Sequence, residues 1–246
     1  DSIKIAGKGH IMYCTITSIS ESPIKQGLIW VGTDDGKIHL TKNAGRSWIE
    51  STNALIDAGA PKNYWISRVT TSSHNPAVAF VSITGFYHDD FKPYVYMTSD
   101  YGHSWQSVSS NLPQEPVNIV VQDIDNKDLL WLATDGGVYL SINSGKKWIN
   151  FNQNIPSVPI KDLEIQERED DLVLGTYGRG VYVTDVSPIK QLSNKILNSE
   201  IYLFDIESQP KKNYSDQKNW GNFKLMGNSH IYTPNEPNGL IIYYYL

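Results

Sequence analysis

Three eight-residue stretches of this chain share one frame. TKNAGRSW at 41–48, TSDYGHSW at 98–105 and SINSGKKW at 141–148 each place a hydroxyl first, Asn or Asp third, Gly fifth and Trp eighth. The likeness extends upstream: LIWVGTDDGKIHL precedes the first box, LLWLATDGGVYL the third, and DLVLGTYGRGVYVT at 171–184 repeats the upstream half with no box after it. The second copy, AVAFVSITGFYHDDFKPYVYMT, carries the same two apolar runs pushed apart by an insertion. Four repeats at a period of about 40 to 45 residues, stretched by that insertion, restrict the chain to stacked units such as propeller blades or helical pairs.

Alternation selects the blade. IWVGT, VYMT, LWLAT, LVLGT and VYVT are short, rich in β-branched and aromatic residues, and bounded by Gly, Asp and Asn, which predicts strands joined by tight turns. No long segment has a helical period, and QLSNKILNSEI offers at most one short helix. Each unit resolves into an inner strand (MYCTITS, WISRVTTS, VNIVVQDI, KDLEIQ), a second and a third strand, the box, and a fourth strand from the Trp. One such sheet cannot bury both faces, so the units stack about an axis. The expected fold is all-β: four four-stranded antiparallel blades in a partial ring over residues 1–206, the fourth repeat at 160–185. The polar run at 207–237 reads as a linker. GLIIYYYL then reads as the first strand of another β module over 207–246, with no partner strand following it.

Turn chemistry accounts for the boxes. The side chains of Asn43, Asp100 and Asn143 are placed to bond backbone amides of the hairpin, and Gly45, Gly102 and Gly145 supply a positive φ. Trp48, Trp105 and Trp148 are expected to be buried between neighbouring blades. The boxes are therefore structural.

Composition narrows the function. With 21 basic and 26 acidic residues, a net charge of -5, the chain has no surplus with which to neutralise a phosphate backbone, which excludes nucleic acid as a partner. Cys14, the single cysteine, allows no internal disulfide or Cys-built metal site, and its run IMYCTITSI predicts a buried small hydrophobe. No apolar run is long enough for a membrane span. No cofactor or metal is expected: QDIDNKD at 122–128 has calcium-loop carboxylate spacing but falls where every repeat has its first hairpin turn.

On these residues the chain resembles the Asp-box, or BNR-repeat, β-propellers, whose motif is Ser/Thr-x-Asp-x-Gly-x-Thr-Trp and which include sialidases, xyloglucan-active glycosidases and sortilin-type receptor domains. The resemblance covers most of residues 11 to 187. It is particularly similar to the large bacterial sortilin-like proteins often labelled glycosyl hydrolase, through DDFKPYVYMTSDYGHSW, GTYGRGVYVTDVSPI and NEPNGLIIYYYL. Asn43 and Asn143 replace the box Asp and Lys147 the penultimate hydroxyl, which implies less tightly pinned loops. The resemblance implies a secreted, periplasmic or cell-surface setting and the C-terminal part of a larger propeller protein. It also implies that the boxes share one rim, while the turns between second and third strands and the interblade links share the other.

That division nominates Asp34, Asp35, Asp135 and Tyr177 in the Gly turns, with Asp57 on the first link, although Asp beside Gly is also common turn chemistry. Irregularity added to a regular scaffold is the stronger signal. It selects Tyr64 and Trp65 on the link ALIDAGAPKNYW and Tyr87, His88, Asp89 and Asp90 in the insertion, with Arg179 of YGRG as a further contributor. Aromatics and carboxylates on one face suit a neutral polysaccharide. A sialidase needs three converging arginines; among Arg46, Arg68, Arg168 and Arg179, Arg46 lies in a box on the wrong rim. No Ser-His-Asp, His-x-x-His or phosphate-loop pattern appears. The reading is a binding or scaffold segment whose partners are the remaining blades or another protein chain, or a polysaccharide; the alternative is part of a xyloglucanase-like glycoside hydrolase.

Overall fold

The computed structural model describes residues 14–152, 154–206, 208 and 239–246; the 207–237 linker reading lies almost wholly outside them. The chain forms two compact units, Asp1–Lys190 and Gln191–Leu246. In the first, three four-stranded antiparallel sheets follow one another: β1 (Ile16–Glu21), β2 (Ile29–Thr33), β3 (Ile38–Thr41) and β4 (Ile49–Glu50); then β5 (Trp65–Thr71), β6 (Ala79–Gly85), β7 (Asp90–Thr98) and β8 (Gln106–Ser107); then β9 (Val117–Gln122), β10 (Leu130–Thr134), β11 (Val138–Ser141) and β12 (Ile149–Asn150). A fourth sheet has β13 (Ile160–Gln166), β14 (Asp171–Thr176) and β15 (Val181–Asp185). A short helix absent from the sequence reading, α1 (Thr52–Asp57), leads out of the first blade.

The inner strands β1, β5, β9 and β13 pack side by side, and each breaks register at the same place. The unpaired residue of the bulge is Thr17, Ser67, Asn118 or Lys161. The first three each reach the next blade: Thr17 Oγ1 donates to the Ile66 carbonyl at 2.7 Å, Ser67 Oγ to Val117 at 2.8 Å and Asn118 Nδ2 to Ile160 at 2.9 Å. A bulge turns a side chain out of the pleat, and here it becomes a repeated interblade tie. Burial follows from stacking. Trp30, Phe80 and Trp131, on the second strands of their sheets, are fully buried, and β10 is buried along its whole length. At the ends of the stack, β1 and β15 are only partly covered and alternate.

The boxes lock as the turn chemistry requires. In the second, Thr98 Oγ1 accepts from Gly102 N and donates to Asp100, whose carboxylate accepts from the amide and the hydroxyl of Ser104. Asn43 keeps the whole set, its Nδ2 donating to Ser47 Oγ; Asn143 keeps the backbone bond to Lys147 but loses the hydroxyl partner. Each box is tied to its blade's first hairpin by a backbone bond, Ala44 N to Gly27 O, Tyr101 N to Ala77 O and Ser144 N to Asp128 O. The box tryptophans pack backwards. Trp105 lies edge-on to Trp30 of the preceding blade with Nε1 2.8 Å from Ser51 Oγ, and Trp148 Nε1 donates to the Val108 carbonyl at 2.7 Å.

Four expectations need correction. Trp48 is 46% exposed because a box Trp packs on the blade before it, and no sheet precedes β1 among the described residues. Cys14 is exposed: the inner strand begins only at Ile16, and Cys14 Sγ sits 3.4 Å from Asp35 Oδ2. The fourth sheet has three strands among the described residues. Without a box hairpin to return the chain, Val186 is buried in the core and α2 (Ser187–Lys190) follows. In the second unit, which also holds α3 (Asn194–Leu197), the terminal strand does have a partner: β17 (Tyr244–Tyr245) pairs antiparallel with β16 (Tyr202–Leu203).

Two of the three 122–128 carboxylates, Asp123 and Asp125, are committed to Lys190. Its ammonium reaches Asp125 at 2.6 Å, Asp170 at 2.5 Å and the fully buried Asp123 at 3.8 Å, joining the first hairpins of the third and fourth sheets. Removing one partner of a buried pair leaves an uncompensated charge. Lys190→Met is therefore expected to cost about 3 to 5 kcal/mol in urea unfolding, against less than about 1 kcal/mol for Lys161→Met, whose ion pair with Asp135 is more exposed. Burial opposes the charge on Asp100, but the Ser104 hydroxyl and amide, the Thr98 hydroxyl and His103 outweigh it and hold its pKa at about 2. A carboxylate with a depressed pKa stabilises above its unfolded value, about 3.9, and loses that contribution as pH falls through the folded one. Stability should thus decline between about pH 4 and pH 2, and Asp100→Asn should flatten that part of the profile.

Candidate functional site

The antiparallel order puts the boxes at one end of the sheets. The β2–β3, β6–β7, β10–β11 and β14–β15 turns lie at the other, with the links that enter each inner strand. Most carboxylates there serve the fold. Asp34 exchanges bonds with Thr15, its Oδ1 accepting from the Thr15 amide at 2.8 Å and its own amide donating to the Thr15 carbonyl. Asp35 accepts from Thr33 Oγ1 at 2.5 Å, and Glu115 from Thr134 Oγ1 at 2.6 Å. Asp135 accepts from Asn118 Nδ2 and Lys161 Nζ. Arg68 of the second sheet reaches Asp162 of the fourth at 2.9 Å, so the face of the inner strands is spanned by an ion pair. Tyr177 and Arg179 are exposed in the β14–β15 turn, where the Arg179 amide caps Thr176 Oγ1; they stand two sheets away from the insertion.

The second blade differs. Its insertion is an extension of the hairpin: β6 and β7 run seven and nine residues to a 3₁₀ turn at Phe86–His88, and Asp89 closes the turn in the left-handed region at φ 53. Asp tolerates that conformation better than a branched side chain would. Asp90 and Tyr94 fall on one face of the strand by its two-residue period, and Tyr94 OH donates to Asp90 Oδ2 at 2.7 Å. Tyr64 arrives from the interblade link, donates to the same oxygen at 3.3 Å, lies edge-on to Tyr94 and stacks on His88 with ring centres 4.3 Å apart and planes within 3°. Trp65 contacts Tyr87 at 5.6 Å, Tyr87 contacts Phe86 at 5.7 Å, and Phe86 contacts Phe91 at 6.2 Å.

The structure thus brings Tyr64, Trp65, Tyr87, His88 and Asp90 together, with Asp89 exposed at the tip and Arg179 elsewhere. Sequence reasoning passed over Phe86, Phe91 and Tyr94, although the density of rings in GFYHDDFKPYVY was visible. Phe86, Tyr87 and Phe91 present their rings to solvent, with Trp65 against Tyr87, whereas Tyr64, His88 and Tyr94 form a second ring group around Asp90. Asp90 is the tie. Burial works against its charge, but the Tyr94 hydroxyl, the Lys92 amide and ammonium and the Tyr64 hydroxyl more than offset this and lower its pKa. Burial, and then Asp90, push the phenols of Tyr94 and Tyr64 upward. Asp90 is therefore a fixed acceptor rather than a proton donor near neutral pH.

No family model matches the chain, and no curated protein does. Solved structures do. The GH74 xyloglucanase of Xanthomonas campestris superposes with a TM-score of 0.52 at 12% identity, over 65% of this chain and 26% of that one. The GH74 enzyme of Niastella koreensis gives 0.52 at 16% identity, over 72% and 24%. The extracellular domain of a B. thetaiotaomicron protein assigned to the one-component systems gives 0.51 at 15% identity, over 72% and 21%. The fold is that of partial β-propeller blades. At these identities the likeness concerns the fold alone, and the chain spans 21 to 26% of the length of these proteins. Among the described residues no helix is long and apolar enough to cross a membrane.

Asp90→Asn removes the charge that adds to burial in raising Tyr94 and Tyr64. Both phenols should then ionise at lower pH, as followed by tyrosine ring NMR across an alkaline titration. Unchanged titration would break the link between this carboxylate and the two rings.

Proposed function

We propose that this chain is a binding or scaffold segment of an extracytoplasmic β-propeller of the Asp-box, sortilin-like kind, working within a larger protein or complex, and that the aromatic tip of its second blade is the ligand contact. One observation carries this: three solvent-facing rings, Phe86, Tyr87 and Phe91, contact one another in series at the tip of the second blade's hairpin, with Trp65 against Tyr87. Rings held rigidly in water lose little entropy when a flat apolar surface covers them, and aromatic side chains on a concave or projecting rim suit the faces of sugar rings. The ligand class we assign to the tip is a neutral polysaccharide.

Binding without cleavage is the preferred reading because of where the carboxylates are. A glycosidase needs two across a cleft, about 5 to 10 Å apart, one of them free to give up a proton. Asp34, Asp35, Asp90 and Asp135 each accept hydrogen bonds from the chain's own donors. The extracytoplasmic setting rests on the resemblance of the boxes and on the fold shared with an extracellular domain.

The test is a glycan array on the purified chain, with reducing-sugar release as the second readout. We expect retention of neutral polysaccharide and no release of sugar. Tyr87→Ala together with Phe91→Ala should weaken binding at least about tenfold, the equivalent of about 1.4 kcal/mol, while stability stays within about 1 kcal/mol. Asp100→Ala should do the reverse. Sugar release by the chain, or binding indifferent to the two aromatic substitutions, would overturn the proposal.

A further inference from the structure

One seam of the box rim carries charge that the repeat does not require. Lys25 of the β1–β2 hairpin and Lys42 of the first box both turn to the ring of Tyr101, the fourth residue of the second box, with their Nζ atoms 5.4 and 4.0 Å from its centre. Both lysines are exposed, while Tyr101 is half-buried against the core of the first two blades, so the ring is held in place and the lysines stand in solvent. Among the described residues no carboxylate pairs with either lysine. The neighbouring carboxylates are committed within their own hairpins: Glu21 Oε1 accepts from the Gly27 amide, and Asp100 from Thr98 and Ser104. A second ammonium on the same ring adds repulsion in exchange for a weak cation–π attraction at an exposed site.

The other blades show what the scaffold itself needs. Backbone bonds from Leu28 to Lys25, Val78 to Asn75 and Leu129 to Asn126 make Lys25, Asn75 and Asn126 equivalent. Asn75 and Asn126 each close their hairpin by accepting from the amide two residues on, of Ala77 and of Asp128. A lysine cannot accept, and in the first blade Glu21 takes over the corresponding amide, that of Gly27. At the second box position Lys42 stands where the other boxes have Ser99 and Ile142, and at the fourth Tyr101 stands where they have Ala44 and Ser144. All three fourth residues occupy the left-handed region, Ala44 at φ 56, Tyr101 at 62 and Ser144 at 56. A bulky ring is an uncommon occupant of that region, and small residues serve in the other two boxes. Strain kept where the fold does not require it points to function. The next seam, built from the equivalents Asn75, Ser99 and Ser144, is uncharged.

We propose that the seam between the first and second blades binds a phosphate or sulfate group, held by the ammoniums of Lys25 and Lys42 beside Tyr101. Lysine is a compact point charge with freely turning donors, which suits a group whose negative charge is spread over several oxygens. A dianion there also offsets the repulsion between the two ammoniums. The site is built wholly from the first two blades. It lies at the opposite end of the sheets from the aromatic tip, so polysaccharide binding at the tip can fail without touching it.

Amide NMR of the whole chain is the test, with sodium phosphate and sodium sulfate titrated separately against sodium chloride at constant ionic strength. We expect saturable shifts confined to Lys25, Lys42, Tyr101 and their hairpins, and a Kd raised about tenfold by Lys25→Gln and by Lys42→Gln. Lys146→Gln, which removes an exposed cation of the third box, should leave the Kd unchanged. Capture on dextran sulfate beads and co-sedimentation with phosphatidylglycerol vesicles separate the sources. Capture that either lysine substitution abolishes identifies a sulfated polymer or a lipid headgroup as the carrier, and ion binding without capture identifies a free small anion. Equal weakening by Lys146→Gln, the signature of diffuse attraction, overturns the proposal, as does capture that survives both lysine substitutions. So do wild-type shifts that fail to saturate or that saturate elsewhere, whatever the variants do.

Discussion

Each sheet in this molecule is apolar on both faces, and none can bury them by itself. Everything else follows from how one blade seats on the next. Burying an indole removes roughly 150 to 250 Å² of surface, about 4 to 6 kcal/mol before ordering costs, whereas a side-chain hydrogen bond contributes about 1 kcal/mol net. Trp105 and Trp148 therefore supply the stronger attraction between blades, and the ties from Thr17, Ser67 and Asn118 set the register in which they meet. The box exists to deliver its Trp: Asp100 holds the hairpin while Trp105 reaches back to Ser51.

A scaffold that repeats its constraints frees whatever does not repeat. The short β2–β3 and β10–β11 turns are tied by Asp34 and Asp135 to inner strands and cannot be lengthened without losing those bonds. The β6–β7 hairpin escaped that arrangement by growing at its tip, where the ladder breaks register after Ile83–Tyr94 and resumes at Gly85–Asp90. Its aromatic layer then needed an anchor of its own. Asp90 provides one from within the extension, joining Tyr94 of its own strand to Tyr64 of the link and so tying the hairpin to the segment that enters its blade.

Most of the architecture was legible because local rules and stacking agree. Strand alternation, the Gly turns and the box all encode the same blade, and the bulk of residues 16 to 185 follows that encoding. The misses share a cause. Trp48 carries the same local signal as Trp105 and Trp148, and only the neighbour decides its burial. Cys14 sits in an apolar run that continues a strand on paper, yet pairing with β2 starts at Ile16. GLIIYYYL looked unpaired because its partner, Tyr202–Leu203, is separated from it by a long polar stretch. At the candidate site, the insertion and the link were visible separately. That Tyr64 stacks on His88, and that one carboxylate serves two phenols, depends on how the link entering the second blade meets that blade's own hairpin.

Lys190 shows the same dependence in its strongest form. From the sequence, Asp123, Asp125 and Asp128 looked like a set, since they recur at two- and three-residue spacing. In the fold they part: Asp128 turns to Ser144 of the box, while Asp123 and Asp125 face Lys190 together with Asp170 from the next sheet. A cation placed among three carboxylates, one of them fully buried, removes the reason for a metal there and ties the last sheet to its neighbour where no box Trp is available to do so. The fourth sheet lacks the box, and the chain instead turns into α2, which ends on that lysine. An ion pair thus takes over a junction that indole packing secures elsewhere. It is a costlier solution, because desolvation offsets most of the attraction, but it is directional and depends on few residues, which suits the point where a regular array stops.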